Sequence, residues 1–262
     1  RKNRFSGVLI GLSGGVDSAL TAAIAVDALG ADAVKVVLMP SRYTAPMGIE
    51  DAIWEAKTLG IEYTTLSIEP AFEAFLRTLR ETIKNFSPNV AEENIQARCR
   101  GVILMALSNK TGRLVLTTGN KSEMAMGYST LYGDMAGGFD VLKDVSKTFV
   151  YALARYRNAK ERVIPERVLT RSPSAELSPN QRDEDTLPPY AVLDRILEAY
   201  VEKHYTKADL LAEGFSPKDI NLVISRIHAN EYKRRQAPPG IRITPLAFGR
   251  DWRYPITSGY AD

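Results

Sequence analysis

The chain has 262 residues, of which 45% are hydrophobic and 25% are charged, a balance that excludes a disordered or fibrous protein. Its mean hydropathy is −0.18, and no apolar run approaches the roughly 20 residues that cross a bilayer, which argues against insertion into a membrane. The formal net charge of +3 at pH 7 allows anionic small-molecule substrates but is too weak to indicate binding to nucleic acid.

The first predicted unit is a strand, a glycine-rich turn and a helix. The apolar run over residues 7–12 indicates a strand that is buried on both faces. The alanine- and leucine-rich segment over residues 16–29 predicts a helix, and Gly30 directly after it is typical of a helix C-terminus. The turn between them therefore lies at a helix N-terminus.

The alternation of strand and helix continues to about residue 118. Further strands are predicted over residues 34–40, 62–68 and 113–118, and further helices over residues 48–60 and 92–107. Such alternation indicates the α/β class, with a Rossmann-like parallel sheet and helices on both faces.

The second half of the chain has a different character. Residues 118–140 are rich in Gly, Tyr and Met and are predicted to form a loop over a ligand, because the stretch is too polar for a core element. Helices are expected over residues 146–159 and after residue 189, separated by an exposed, mobile loop over residues 172–189. We expect one domain over residues 1–262, mostly helical from about residue 146.

The segment SGGVDS, residues 13–18, predicts a phosphate-binding loop. At a helix N-terminus, backbone N–H groups and the helix dipole both favour an anion. Gly14 and Gly15 allow close approach of the backbone, Ser13 and Ser18 offer hydroxyl donors, and Asp17 fits a bridging magnesium ion. The alternative is an ordinary turn in which a serine or aspartate caps the helix.

The sequence also limits metal and redox chemistry. Cys99 is the single cysteine, which excludes an internal disulfide, and with His204 and His228 it forms no credible zinc cluster. We expect a cytoplasmic protein in which Cys99 is a small buried residue of its helix. The sequence has neither GxxxxGK[ST] nor GxGxxG, which argues against a P-loop kinase and against a redox dinucleotide site.

SGGVDS resembles the SGGxDS signature of N-type ATP pyrophosphatases, which cleave ATP to AMP and pyrophosphate. Further segments are similar to the NAD synthetase family, and the likeness covers residues 7 to about 255. They are ENIQARCRG from Glu93, TTGNKSE from Thr117, GYSTLYGDMAGGFDVLKDVSK from Gly127, PSAEL from Pro173 and EYKRRQAPPG from Glu231. The resemblance implies an adenine nucleotide alpha hydrolase-like fold.

The resemblance also implies an ATP site. The residues at its ATP-binding positions are Gly11, Leu12, Ser13, Gly14, Gly15, Val16, Asp17, Ser18, Thr118, Lys147 and Ser174. By the same likeness Asp17, Lys147 and Glu123 would be catalytic, and Asp17 and Glu123 would bind Mg2+. ATP would be a co-substrate.

For the second substrate, the resemblance implies nicotinic acid adenine dinucleotide (deamido-NAD), converted to NAD through an acyl adenylate. Its binding positions are Asn94, Arg98, Glu123, Tyr128, Leu131, Tyr132, Asp134 and Lys233. Leu131 departs from some smaller ammonia-only members, which have lysine there. The tail GRDWRYPI is similar to members with an N-terminal glutaminase domain, so nitrogen would come from ammonia, free or supplied by such a domain upstream. A homodimer or higher homo-oligomer is also implied, with the 92–107 helix in the interface.

Each of these side chains has a structural alternative. Asn94 and Arg98, four residues apart, could solvate one helix face, and Lys121 with Glu123 could form a surface ion pair. Lys147 could be an ordinary exposed lysine. Residues 233–235 could complement a helix dipole, and residues 183–185 could be a solvated acidic run, with a second magnesium site as the less favoured interpretation.

Two other functions remain open at this level. Another ATP pyrophosphatase, such as a GMP synthetase or a tRNA-modifying enzyme, would share SGGVDS and adenylate a different oxygen. A non-catalytic nucleotide-binding module is the second alternative, which the presence of Asp17, Glu123 and Lys147 disfavours.

Overall fold

A five-stranded parallel sheet organises the computed structural model. The structure describes residues 2–87, 89–174, 176–178 and 183–259, apart from the side chain of Glu184. The spatial order of the strands is β3-β2-β1-β4-β5. The strands are β1 Val8–Gly11, β2 Val34–Leu38, β3 Glu62–Thr65, β4 Leu114–Thr117 and β5 Phe139–Asp140.

The direction in which strands are added to the sheet reverses at β1. Val8 lies opposite Val34 of β2 on one side and opposite Leu114 of β4 on the other. The chain therefore builds β1, β2 and β3 outward in one direction and then returns to place β4 and β5 on the other side. In open α/β sheets such a switch point leaves a crevice at the carboxyl ends of the two central strands.

Helices connect the strands and form most of the second half of the chain. They are, in chain order, α1 Val16–Leu29, α2 Pro46–Thr58, α3 Glu69–Ile83, α4 Val90–Thr111, α5 Lys121–Met126, α6 Lys147–Lys160, α7 Glu166–Thr170, α8 Tyr190–Leu197, α9 Lys207–Ala212, α10 Pro217–Ala229 and α11 Glu231–Arg234. Short 3-10 turns at Ala31–Ala33 and Asp183–Asp185 and a π-helical turn at Glu198–Glu202 accompany them. Among the described residues no helix has both the length and the apolar character to cross a membrane.

Helices cover both faces of the sheet. Alternate residues of β1 and β2, such as Val8 and Val36, pack with α1, α2, α6 and α7, whereas Leu9 and Val37 pack with α3 and α4. Ala22 of α1 is completely buried, and small side chains of this kind let the helix lie close to the strands. Burial on both faces explains the continuous apolar runs of these strands.

A separate cluster of apolar side chains lies in the C-terminal half, where α5, α8, α10 and the π-helical turn pack together. In α10, Ile220, Val223, Ile224 and Ile227 recur at three- and four-residue steps and are all buried, the pattern of one buried helix face. The side chain of Ser216 caps this helix by accepting the N–H of Asp219.

The structure confirms the predicted α/β class, the parallel sheet and the bounds of α1. Two predictions for the first half were incomplete, because α3 was not predicted and α4 is longer than residues 92–107. The prediction that residues 118–140 are too polar for a core element was wrong. This stretch contains α5 and β5, and Met124, Ala125 and Met126 are each at most 3% exposed. The division into domains stays a prediction.

Candidate active site

A cavity of about 310 Å³ opens where the sheet order reverses. It is lined by residues that directly follow three neighbouring strands, among them Leu12 after β1, Met39 after β2 and Thr118 after β4. Its volume lies at the lower end of the range for small-molecule sites. The candidate site therefore lies at the position that the topology of the sheet provides.

The glycine-rich turn after β1 forms one wall of this cavity. Gly14 has a φ of +79°, and a Cβ on it would lie 2.2 Å from the carbonyl oxygen of Gly48 in α2. The hydroxyl oxygens of Ser13 and Ser18 lie 3.0 Å apart, and the Ser13 hydroxyl accepts the N–H of Gly15. The serine side chains thus hold the turn open at the N-terminus of α1, a position suited to an anion.

Lys147 lies between two carboxylates beside this turn. Its Nζ is 2.5 Å from Asp17 Oδ2 and 3.0 Å from Glu123 Oε1. Asn120 donates from Nδ2 to Asp17 Oδ1 at 2.9 Å, and its own side chain caps α5, the helix that carries Glu123. These contacts join α1, α5 and α6 in one polar cluster, which we call the Lys147 cluster.

The charges in the Lys147 cluster are tightly coupled. Burial alone would lower the pKa of Lys147, but the adjacent Asp17 and Glu123 outweigh it and raise that pKa. Burial raises the pKa of Glu123 to about 8, with Lys147 acting against the rise and Asp17 adding to it. Lys147 therefore remains a cation beside the glycine-rich turn.

Asp17 and Glu123 are the carboxylates that suit a magnesium ion. Among the described residues no group of three or more His, Cys, Asp or Glu side chains forms a metal-binding cluster. Magnesium is usually bound by one or two carboxylates together with waters and substrate phosphates. Two carboxylates beside a glycine-rich turn at a helix N-terminus fit this mode, in which a bound phosphate compound would supply the remaining ligands.

Asp140, at the end of β5, is a pocket residue that sequence reasoning missed. It is completely buried and lines the cavity. The Thr117 hydroxyl and the Leu142 N–H lie close enough to affect it, yet within the described residues neither oxygen accepts a hydrogen bond of good geometry. Burial raises its pKa to about 7, and Lys143 partly opposes the rise.

Three further residues of the cavity wall were missed as site residues. Arg100 donates from Nε to the Met39 carbonyl oxygen at 3.1 Å, and Arg171 donates from Nη2 to the Gly14 carbonyl oxygen at 3.1 Å. Asp183, interpreted as part of a solvated acidic run, is 3% exposed and accepts a hydrogen bond from the Tyr190 hydroxyl. No local motif signals these residues, because their partners are distant or irregular in sequence.

The structure brings most of the predicted ATP-binding residues to the cavity. Those that line it are Gly11, Leu12, Ser13, Gly15, Val16, Asp17, Ser18, Thr118, Lys147 and Ser174. Gly14 packs against α2 instead. In the 172–189 loop, Ala175 and residues 179–182 lie outside the described residues.

The predicted residues for the second substrate divide into two groups. Glu123, Tyr128 and Asp134 line the cavity, and burial raises the pKa of Asp134 to about 6. Leu131 and Tyr132 lie outside it and line a second pocket.

The other three, Asn94, Arg98 and Lys233, hold the 127–134 loop rather than line the cavity. Lys233 Nζ donates to the carbonyl oxygens of Gly127 and Ser129, each at 2.7 Å. Arg98 Nε donates to the Leu131 carbonyl oxygen, and Asn94 Oδ1 accepts from the Thr130 hydroxyl at 2.8 Å. These contacts give the loop its shape at the cavity rim.

The structure decides between the alternatives for three of the side chains considered above. Lys121 forms no surface pair with Glu123, because it is 2% exposed and bonds to Asp144 and Glu202. The alternative of an exposed Lys147 was also wrong, because that residue is 3% exposed. The burial predicted for Cys99 is confirmed.

The parallel sheet with its switch point, and the glycine-rich turn between β1 and α1, define an α/β protein of the Rossmann-like class. Comparison with known sequences specifies the family. The sequence model of the family described as NAD synthase matches residues 1–237. Glutamine-dependent NAD(+) synthetases of Acinetobacter baylyi and Thermotoga maritima are each 53% identical to the chain, over 99% and 100% of its length. The chain belongs to the NAD synthase family.

The matches extend to solved structures. A glutamine-dependent NAD+ synthetase from Acinetobacter baumannii, in complex with ADP, is 50% identical, with a TM-score of 0.65 over 99% of this chain and 47% of that one. An NMN synthetase from Francisella tularensis is 31% identical, with a TM-score of 0.74 over 93% and 91% of the two chains. The chain spans about half the length of the curated relatives named here, 48% and 46%.

Proposed function

We propose that this chain catalyses the ATP-dependent amidation of deamido-NAD to NAD. The nicotinate carboxylate would attack the α-phosphorus of ATP, releasing pyrophosphate and leaving an acyl adenylate. Ammonia would then attack the acyl carbon and displace AMP. The observation that carries this proposal is the placement of the Ser13–Ser18 turn beside the Lys147 cluster in one cavity, in a chain that belongs to the NAD synthase family.

In the first step, the protein would act by positioning and by charge. The N-terminus of α1 and the turn from Ser13 to Ser18 offer N–H and hydroxyl donors to the pyrophosphate half of ATP. Lys147, kept cationic by its two neighbours, would stabilise negative charge on the phosphates. A magnesium ion held by Asp17, Glu123 and the nucleotide would neutralise phosphate charge. No protein nucleophile is needed.

In the second step, the carbonyl carbon must meet ammonia and not water. Tyr128 and Asp134 place the 127–134 loop at the cavity wall, and we propose that this loop and the 172–189 loop close over the adenylate. Exclusion of water would protect the adenylate from hydrolysis. The nitrogen would be ammonia, free in solution or released by a glutaminase domain upstream, and a cytoplasmic location would accompany these substrates.

We further propose a homodimer in which α4 lies at the interface. This helix exposes Val90, Val102 and Met105, which are 62%, 65% and 38% exposed. Apolar side chains on one helix surface favour association with a second apolar surface. Light scattering coupled to size-exclusion chromatography measures the oligomeric state. Val102→Glu should shift the measured molecular mass towards that of the monomer.

The decisive experiment for the catalytic proposal measures AMP and NAD formed from ATP, deamido-NAD and ammonium, with magnesium present. We expect the two products in equal amounts and no product when glutamine replaces ammonium for this chain alone. The same assay with nicotinic acid mononucleotide in place of deamido-NAD tests a second substrate, because a similar protein is an NMN synthetase. Nucleotide binding without AMP above background would overturn the proposal in favour of a non-catalytic module.

A further inference from the structure

Arg171 connects the end of α7 to the phosphate-binding turn. Its Nη2 donates to the carbonyl oxygen of Gly14 at 3.1 Å, across 157 positions of sequence. Its Nη1 is buried and, within the described residues, has no hydrogen-bond partner. Arg171 also lines the cavity. One nitrogen of this guanidinium is therefore fixed by a hydrogen bond, and another lies beside the site without one.

A carboxylate of the chain forms an ion pair with that second nitrogen. Glu176 Oε1 is 3.5 Å from Arg171 Nη1, close enough for an ion pair but long for a hydrogen bond. Its other oxygen, Oε2, accepts the N–H of Ala45 at 3.3 Å. Glu176 has a φ of +50°, in the left-handed region. An anionic group thus already occupies the corner, held by long contacts on a strained backbone.

The same corner has the features of an anion site. Ala45 is the N-cap of α2, a helix of 13 residues, so its N–H belongs to a positive helix terminus. Gly48 in the first turns of α2 lies against Gly14, which brings this terminus to the phosphate-binding turn. A guanidinium together with the N–H of a helix N-cap is a combination that suits phosphate.

We propose that Arg171 and the N-terminus of α2 form a further subsite for the pyrophosphate half of the nucleotide, and that Glu176 occupies this subsite until the nucleotide arrives. The inference rests on the proposed function, since it assigns the terminal phosphates of ATP to this corner. Arg171 would contact phosphate directly. Glu176 would be a positioning residue that competes with the ligand.

The test measures binding of inorganic pyrophosphate and of AMP by calorimetry. Arg171→Gln should weaken pyrophosphate binding roughly tenfold or more, because a hydrogen bond between charged groups is lost. AMP binding should stay within about twofold of wild type, since AMP lacks the terminal phosphates. Arg167→Gln is the matched control, because Arg167 ties the same helix to Asp51 of α2 and is absent from the cavity lining.

Glu176→Gln supplies a readout that a structural role would not produce. Removal of the competing charge should tighten pyrophosphate binding several-fold, and this gain should vanish in the double variant with Arg171→Gln. Arg171→Lys, which keeps the charge without the planar fork, should lie between wild type and Arg171→Gln. If Arg171→Gln does not fold, the Glu176→Gln and Arg171→Lys arms still decide the question.

The subsite is overturned if wild type binds no pyrophosphate, if Arg171→Gln or Arg171→Lys binds it as wild type does, or if Glu176→Gln binds it no more tightly. It is also overturned if Arg171→Gln weakens the binding of AMP as much as the binding of pyrophosphate. These outcomes differ from failure of the proposed function. A wild-type protein that binds pyrophosphate with the expected variant pattern but forms no NAD would refute the amidation and retain the subsite.

Discussion

The side chain of Lys147 lies between Asp17 and Glu123, so its removal would have two separable effects. Lys147→Ala would leave two partly exposed carboxylates, 16% and 19% exposed, without a counter-charge, and we expect it to destabilise the fold by roughly 1–3 kcal/mol. It would also remove a cation from the phosphate site, and NAD formation should fall by about a hundredfold or more.

Adding Glu123→Gln to Lys147→Ala tests the effect on stability, whereas NAD formation in the folded single variant Lys147→Ala tests the effect on catalysis. The double variant should regain stability in urea unfolding, because one of the facing charges is gone, while NAD formation stays low. Wild-type rates in Lys147→Ala would refute the catalytic role. Recovery of activity together with stability would show that the lysine acts on folding alone.

Asp140 makes stability depend on pH in a defined direction. Burial raises the pKa of this group from about 3.8 to about 7, so between these values the folded protein binds a proton that the unfolded chain has released. Stability should therefore fall as the pH rises through this window. Asp140→Asn keeps the shape without the charge, and its loss of stability between pH 5 and pH 8 should be smaller by roughly 1–3 kcal/mol.

Urea unfolding at four pH values between 5 and 8 would measure this difference for Asp140→Asn. Asp32→Asn is the control, because Asp32 is exposed and the same loss of charge there should leave the pH profile of wild type unchanged. Parallel profiles for wild type and Asp140→Asn would show that Asp140 is ionised at little cost in the folded protein.

Short elements were harder to predict than long ones, and α5 shows why. Six residues do not display a helical period, and the surrounding Gly and Tyr residues indicated a loop. A local signal was present, because Asn120 and Glu123 have the spacing of a capping box and form one. By contrast, α1 was predictable from its alanine-rich sequence and Gly30.

Residues that hold the 127–134 loop should affect binding through the shape of that loop. Lys233→Met removes the two hydrogen bonds from the ammonium group to backbone carbonyl oxygens of the loop. We therefore expect faster amide hydrogen exchange across residues 127–134 in the ligand-free protein. The KM for deamido-NAD should rise about tenfold, with little change in the KM for ATP.

Lys218→Met, at an exposed position, is the control for Lys233→Met and should leave both the exchange rates and the KM values unaltered. A raised KM for deamido-NAD with normal exchange would show instead that Lys233 acts by direct contact with the substrate.

At the scale of the whole molecule, the separation in sequence between contacting residues determined which contacts could be predicted. The parallel sheet and the position of the Ser13–Ser18 turn follow from patterns within about 30 residues. The contacts of Lys121 and Arg171 do not, because they join segments 123 and 157 positions apart. Sequence patterns identify an amphipathic helix or a loop motif, whereas the partner of a buried charge is set by the three-dimensional fold.

Substitution of Lys121 should destabilise several segments of the molecule at once. Its Nζ contacts Asp144 after β5, Glu202 in the π-helical turn, and Thr244 and Leu246 in the C-terminal segment. Lys121→Met keeps the length of the side chain but leaves the buried Asp144 and the nearby Glu202 without a counter-charge, so we expect a loss of roughly 3–5 kcal/mol.

Urea unfolding would measure the loss in Lys121→Met, and the exposed Lys110→Met should change stability by less than about 0.5 kcal/mol. Adding Glu202→Gln to Lys121→Met should restore part of the loss, because one of the unpaired charges is removed. The hydrogen exchange of α5, of the π-helical turn and of the C-terminal segment should rise together in Lys121→Met. Faster exchange in only one of these segments would show that Lys121 supports that segment alone and does not join the three.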